Sequence, residues 1–207
     1  MPLDKILHSV KDNPAITGAL SGAAGGALVS AFTGKKSAKK LLKGAGLVAI
    51  GGLAWQAYQN YKKDDSAGDN PALPDKLDRN RLEAIVDTTP AQAESTALVM
   101  QAMIAAAHAD EHLTTAEQQQ IWKAALEHGV PAQELSTLQE QLSAPMPIEY
   151  FAAAAGDMET RMDVYTAALV VIDEECAAGQ QFLGELGRQL ALPSGLVAAL
   201  HTQYANA

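Results

Sequence analysis

Hydrophobic and polar positions divide this chain into three regions. Residues 13–34 and 44–61 carry no charged side chain, and Lys35, Lys36, Lys39, Lys40 and Lys43 stand between them. Residues 62–80 are polar and broken by Pro71 and Pro74, the pattern of a solvated linker. From about Arg81 onward Ala, Leu, Gln and Glu dominate while β-branched and aromatic residues are sparse, so helix is predicted and strand is not. Caps and prolines at Thr89-Pro90, Thr114-Thr115, Pro131, Pro147, Asp157 and Ser194 predict helices near 90–109, 115–128, 132–143, 147–155, 158–173, 177–191 and 194–205. The expected fold class is all-α: a helical hairpin in residues 1–63, a linker in 64–80, and a bundle of about seven short helices in 81–207.

Two of these helices read as the centre of the bundle. Ala97–Ala107 is apolar apart from Gln101, and Val164–Ile172 is apolar apart from Thr166. Each is too short for a bilayer and is expected to be buried on all sides. Each also ends in acid, Asp110-Glu111 after the first and Asp173-Glu174-Glu175 after the second. The offset is matched to within one residue by Val130-Pro131 and Leu192-Pro193, which suggests a diverged internal duplication whose acidic turns pack near each other.

The amino-terminal region has a different logic. Gly18, Gly22, Gly26, Ser30 and Gly34 recur every fourth residue, a row on a helix where a second backbone can approach closely. The two charge-free stretches would extend roughly 33 and 27 Å as helices, against about 30 Å of hydrocarbon. Trp55, Tyr58 and Tyr61, then Lys62 and Lys63, follow the order of a helix leaving a bilayer through its headgroups. The expectation is a membrane hairpin that self-associates through Gly18, Gly22 and Gly26. The alternative is a soluble hairpin that oligomerises through the same row. A signal peptide ending near Ala31 is disfavoured by the lysines just after it.

Charge sharpens this division. Residues 1–63 carry nine Lys against Asp4 and Asp12, a net +7, whereas residues 64–207 carry a net −16. The basic segment suits anionic lipid, and the acidic bundle excludes nucleic acid as its partner. With the five-lysine loop held in the cytoplasm, crossing by the second stretch sends the bundle into the periplasm. Cys176 is the only cysteine, so neither an internal disulfide nor a thiolate zinc cluster can form.

Candidate chemistry is confined to the acidic turns. Carboxylates at the carboxy end of a helix face the negative pole of its dipole, a repulsion that a hard divalent cation relieves. Asp110, Glu111, Glu117, Asp173 and Glu175 are the candidate ligands. The competing reading makes Glu117 part of a capping box and the rest solvated turn residues. His108 and His112 are four apart, a zinc-compatible spacing, but Ala109 stands where a zinc protease carries Glu. The acidic neighbours of Cys176 disfavour a reactive thiolate. Nucleotide-binding and hydrolase motifs are missing, and no enzyme is expected.

The run from Ala106 to Ile121, with Asp110, Leu113 and Glu117 at its key positions, resembles the tellurite-resistance TerB-like helical domain, Glu111 standing for the usual glycine. The second half, from Ile172-Asp173-Glu174-Glu175 to Phe182-Leu183, together with the glycine-rich amino terminus, is similar to the YebE-like subgroup of bacterial inner-membrane proteins. Gly179 stands where that subgroup usually has an acidic residue. The resemblance implies a TerB-like bundle at the inner membrane, a setting in stress response and a divalent cation as the only prospective cofactor; an unidentified protein partner is the expectation for a bundle without catalytic motifs.

Overall fold

The computed structural model describes residues 47–63, 90–110, 113–115, 118–119, 122–123, 132–173 and 175–206. Among these residues all regular structure is helical. The elements are α1 (Leu47–Lys63), α2 (Pro90–Ala109), α3 (Ala132–Ser143), α4 (Ile148–Ala154), α5 (Met158–Val171), α6 (Ala177–Gln189) and α7 (Ser194–Ala205). Residues 115, 118, 119, 122 and 123 are also helical, within the stretch where a helix over 115–128 is predicted. The linker, the predicted domain start near Arg81 and the glycine row at 18–34 lie outside the described residues.

Helices α2 and α5 form the centre and pack most extensively on each other. Every residue from Ala97 to Ala107 is buried, and so is every residue from Met162 to Ile172. A helix enclosed on all sides has no polar face to preserve, which is why neither shows an amphipathic stripe. The peripheral helices do. On α7, Leu196, Leu200 and Tyr204 recur every four residues and face inward, and on α6 Leu183 and Leu186, three apart, also face inward.

Local signals account for the helix ends. Asp157 caps α5 by accepting from Thr160 N–H at 2.7 Å and from its hydroxyl at 2.8 Å. Helix α6 closes with Leu192 N–H donating to Gly187 C=O and Ala191 N–H donating to Arg188 C=O, both at 3.1 Å. These are the paired bonds of a Schellman motif, with Ala191 in the left-handed region at φ 52° and Leu192 buried beyond it.

The largest departure from expectation concerns α1, which was assigned to the carboxy-terminal arm of a membrane hairpin. It packs against α7 and α5 as a member of the bundle. Ile50, Leu53, Ala54, Ala57, Tyr58 and Tyr61 all belong to the hydrophobic core that the described helices share. Each large side chain in that row contributes about 1.5–3 kcal/mol by leaving water. On the outer face, Gln203 of α7 donates to Gln56 Oε1 at 2.6 Å and accepts from Asn60 Nδ2 at 3.1 Å, so carboxamides fasten the two helices together. Lys62 Nζ lies 5.6 Å from the Tyr58 ring centroid, a cation–π distance. Among the described residues, no helix is long and apolar enough to cross a membrane.

Candidate functional site

The acidic turns after α2 and α5 do meet. Asp110 is 1% exposed, and its Oδ2 accepts the backbone N–H of Asp173 at 3.1 Å. The Cys176 thiol donates to the Asp110 carbonyl at 3.8 Å, a second tie between the turns. Asp173 is exposed and accepts the N–H of Glu175 through Oδ1 at 3.0 Å, closing its own turn. Glu175 is exposed as well.

This junction depends on Gly179 in the first turn of α6. A Cβ built there would lie 2.6 Å from Ile172 Cγ2 and 2.8 Å from Asp110 Oδ1. The Asp110 carboxylate thus stands at the amino end of α6, where the helix dipole favours negative charge. The same closeness leaves no space for the acidic side chain that the family resemblance anticipates at this position.

The described residues of the junction do not by themselves make a metal centre. The Asp110 carboxylate binds backbone, the Asp173 carboxylate caps its own turn, and Glu111 and Glu117 lie outside the described residues. Among the described residues no three His, Cys, Asp or Glu side chains are grouped to hold an ion. Asp110, Asp173 and Glu175 alone do not supply a donor set, although the first two are joined.

His108 has a structural partner. Its Nε2 donates to the Leu142 carbonyl at 2.7 Å, and Gln118 Nε2 reaches the same oxygen at 3.4 Å. One carbonyl in the last turn of α3 thus gathers α2, α3 and the 115–123 segment, satisfying an acceptor that the helix itself leaves open. His112 lies outside the described residues.

A cleft of about 340 Å³ opens beside that junction. Trp122, Gln118, Gln119 and Thr115 line one side, and Gln139, Leu142 and Ser143 of α3 line the other. None of these side chains is ionisable. Sequence reasoning missed this cleft because its two walls are separated in the chain; the available signal was the uncharged pairing of Trp122 with carboxamides on both segments.

A second polar pair joins α5 to α7. The Tyr165 hydroxyl and His201 Nε2 share a hydrogen bond of 2.9 Å, and burial pushes the Tyr165 phenol up to about 12. Gly187 permits α6 to approach here, since a Cβ on it would meet Tyr165 Cε2 at 3.1 Å. Tyr165 is 1% exposed and closed off by packing. It serves the core.

No curated protein and no solved structure matches the chain. The profile of one family, described as a protein of unknown function (DUF533), matches residues 15–204. That span takes in the charge-free amino-terminal stretches, α1, the paired acidic turns and the last helix of the bundle, and the chain therefore belongs to the DUF533 family.

Proposed function

We propose that this chain is a non-enzymatic, membrane-associated helical module, with residues 13–34 as its lipid-seeking segment and the bundle as a platform for a protein partner. The observation that carries this reading is the position of α1. The helix starts at Leu47, four residues after Lys43, and is built into the core. Four residues of extended chain reach no more than about 14 Å. Lysines 35–43 on anionic headgroups would therefore hold the bundle close to the bilayer surface, each contributing about 1 kcal/mol.

The packing of α1 also changes the expected side of the membrane. Placement in the periplasm requires residues 44–61 to cross the bilayer. With α1 in the bundle, a single crossing by residues 13–34 and a cytoplasmic lysine cluster favour the cytoplasmic face of the inner membrane. Self-association through Gly18, Gly22 and Gly26 remains compatible with this arrangement. The TerB-like and YebE-like resemblance supports a role in stress response.

Divalent-cation binding through Asp110, Glu111, Glu117, Asp173 and Glu175 is a subsidiary proposal, supported by the meeting of the two acidic turns. Calorimetry on the full chain with magnesium, calcium, manganese and zinc tests it, and no heat at millimolar ion removes it. A soluble adaptor that oligomerises through the glycine row draws on the same burial of α1, because a charge-free stretch in this chain can be satisfied by protein.

Alkaline carbonate extraction separates the two readings. Retention of the full-length chain in the membrane pellet, with a reporter fused after Ala207 active in the cytoplasm, is the expected result. Complete release into the supernatant contradicts membrane anchoring, and a reporter active only in the periplasm contradicts the orientation.

A further inference from the structure

We propose that the cleft beside Trp122 binds an uncharged sugar ring. The inference stands apart from the membrane reading and uses the geometry of this cleft alone. Charge is the first consideration. In a region with net −16, the described side chains that line this concavity are all non-ionisable, so a charged ligand finds no counter-ion among them.

The kinds of polar group present narrow the chemistry further. Carboxamides on Gln118, Gln119 and Gln139 and the hydroxyl of Thr115 each combine donor and acceptor capacity, and the Ser143 oxygen adds an acceptor. A sugar ring offers the same dual character around its edge, and its C–H face suits a flat aromatic surface. Trp122 supplies that surface, half-buried against the core so that the indole is held in place. A volume of about 340 Å³ falls at the lower end of small-ligand pockets and suits one or two rings.

One side chain on each wall is also held before any ligand arrives. Gln118 and His108 both donate to the Leu142 carbonyl, at 3.4 and 2.7 Å. The Ser143 hydroxyl donates to the Gln139 carbonyl at 2.8 Å, leaving its oxygen lone pairs as acceptors. Groups held in place in this way lose less freedom when a ligand binds. A nucleobase would also stack on an indole, but it presents polar atoms only at its edge and in one plane. Dual-capacity groups on two facing walls match a polyol better.

The test uses the full chain in mild detergent, carrying Trp55→Phe so that Trp122 is the remaining indole. Glucose, N-acetylglucosamine, maltose and the nucleosides adenosine and uridine are titrated, with indole fluorescence and calorimetry as readouts. The expected result is saturable binding of at least one of the sugars with half-saturation at or below about 1 mM. Gln139 is exposed, and Gln139→Leu is expected to weaken that binding at least about tenfold with the melting temperature unchanged. No saturable response to any sugar, a response confined to nucleosides, or sugar binding untouched by Gln139→Leu overturns the proposal.

Discussion

Asp110 holds Asp173 across 63 residues of chain, its carboxylate accepting the Asp173 backbone N–H at 3.1 Å. The two acidic turns are thereby one structural unit, and the buried carboxylate forms its hub. A hydrogen bond to a charged group contributes about 1.5–3 kcal/mol, and its loss leaves a part-buried N–H to be satisfied otherwise. Asp110→Ala is expected to lower unfolding free energy by at least about 2 kcal/mol in urea titration, whereas Asp110→Asn, which keeps an acceptor, costs less. Equal losses from both substitutions would show that charge, rather than the bond, is what matters.

Gly179 and Gly184 lie on the same helix and are expected to respond oppositely to alanine. At Gly179 the new methyl group meets Ile172 and Asp110 at 2.6 and 2.8 Å. Gly179→Ala is therefore expected to cost about 1–3 kcal/mol through displacement of the junction. Nothing lies within 4 Å of a Cβ at Gly184, which is exposed in mid-helix. Gly184→Ala is expected to gain up to about 1 kcal/mol from helix propensity. Thermal melts of the two variants make the comparison.

Gln101 interrupts the central helix α2 at 1% exposure, and neither its carboxamide oxygen nor its nitrogen has a hydrogen-bond partner among the described residues. A buried polar group left unsatisfied costs about 1–3 kcal/mol. Gln101→Leu, which is similar in size, is expected to raise the melting temperature. A fall would indicate that the carboxamide is satisfied by a bound water.

Tyr165 sets an alkaline limit on stability. Its phenol ionises near the ordinary value of 10 in the unfolded chain and at about 12 in the fold, because burial disfavours the charged form. The unfolded state therefore loses its proton first. The contribution from this residue is complete below pH 10 and is lost as pH rises through about 12, amounting to about 2–3 kcal/mol. Tyr165→Phe is expected to flatten that part of the pH–stability profile, and an unchanged profile would assign alkaline unfolding to other groups.

Much of the bundle was legible because helix ends carry local chemistry. Asp157 as a cap, proline before α3, α4 and α7, and the uninterrupted apolar runs of α2 and α5 each constrain an element from its own residues. The meeting of the acidic turns followed from their equal place in the two halves. The role of α1 was not legible from charge, since a lipid environment and a protein core both exclude charged side chains. Periodicity held the distinguishing signal. Ile50, Leu53, Ala54, Ala57, Tyr58 and Tyr61 form one inward row, while Gln56 and Asn60 fall on the outer face and Gln59 is half-buried. That polar face favours a bundle over a lipid-exposed span. The junction at the Leu142 carbonyl was illegible for a further reason: backbone acceptors carry no sequence signature.

The central claim is that α1 belongs to the bundle of the full-length chain. Cysteines placed at Gln56 and Gln203, whose side chains meet at 2.6 Å, in a Cys176→Ser background test it with a short bifunctional maleimide added to intact membranes. The account predicts efficient cross-linking of α1 to α7 within one chain, abolished by urea. Absence of the cross-link in membranes, with the Gln56 position protected by lipid from water-soluble thiol reagents, would contradict it.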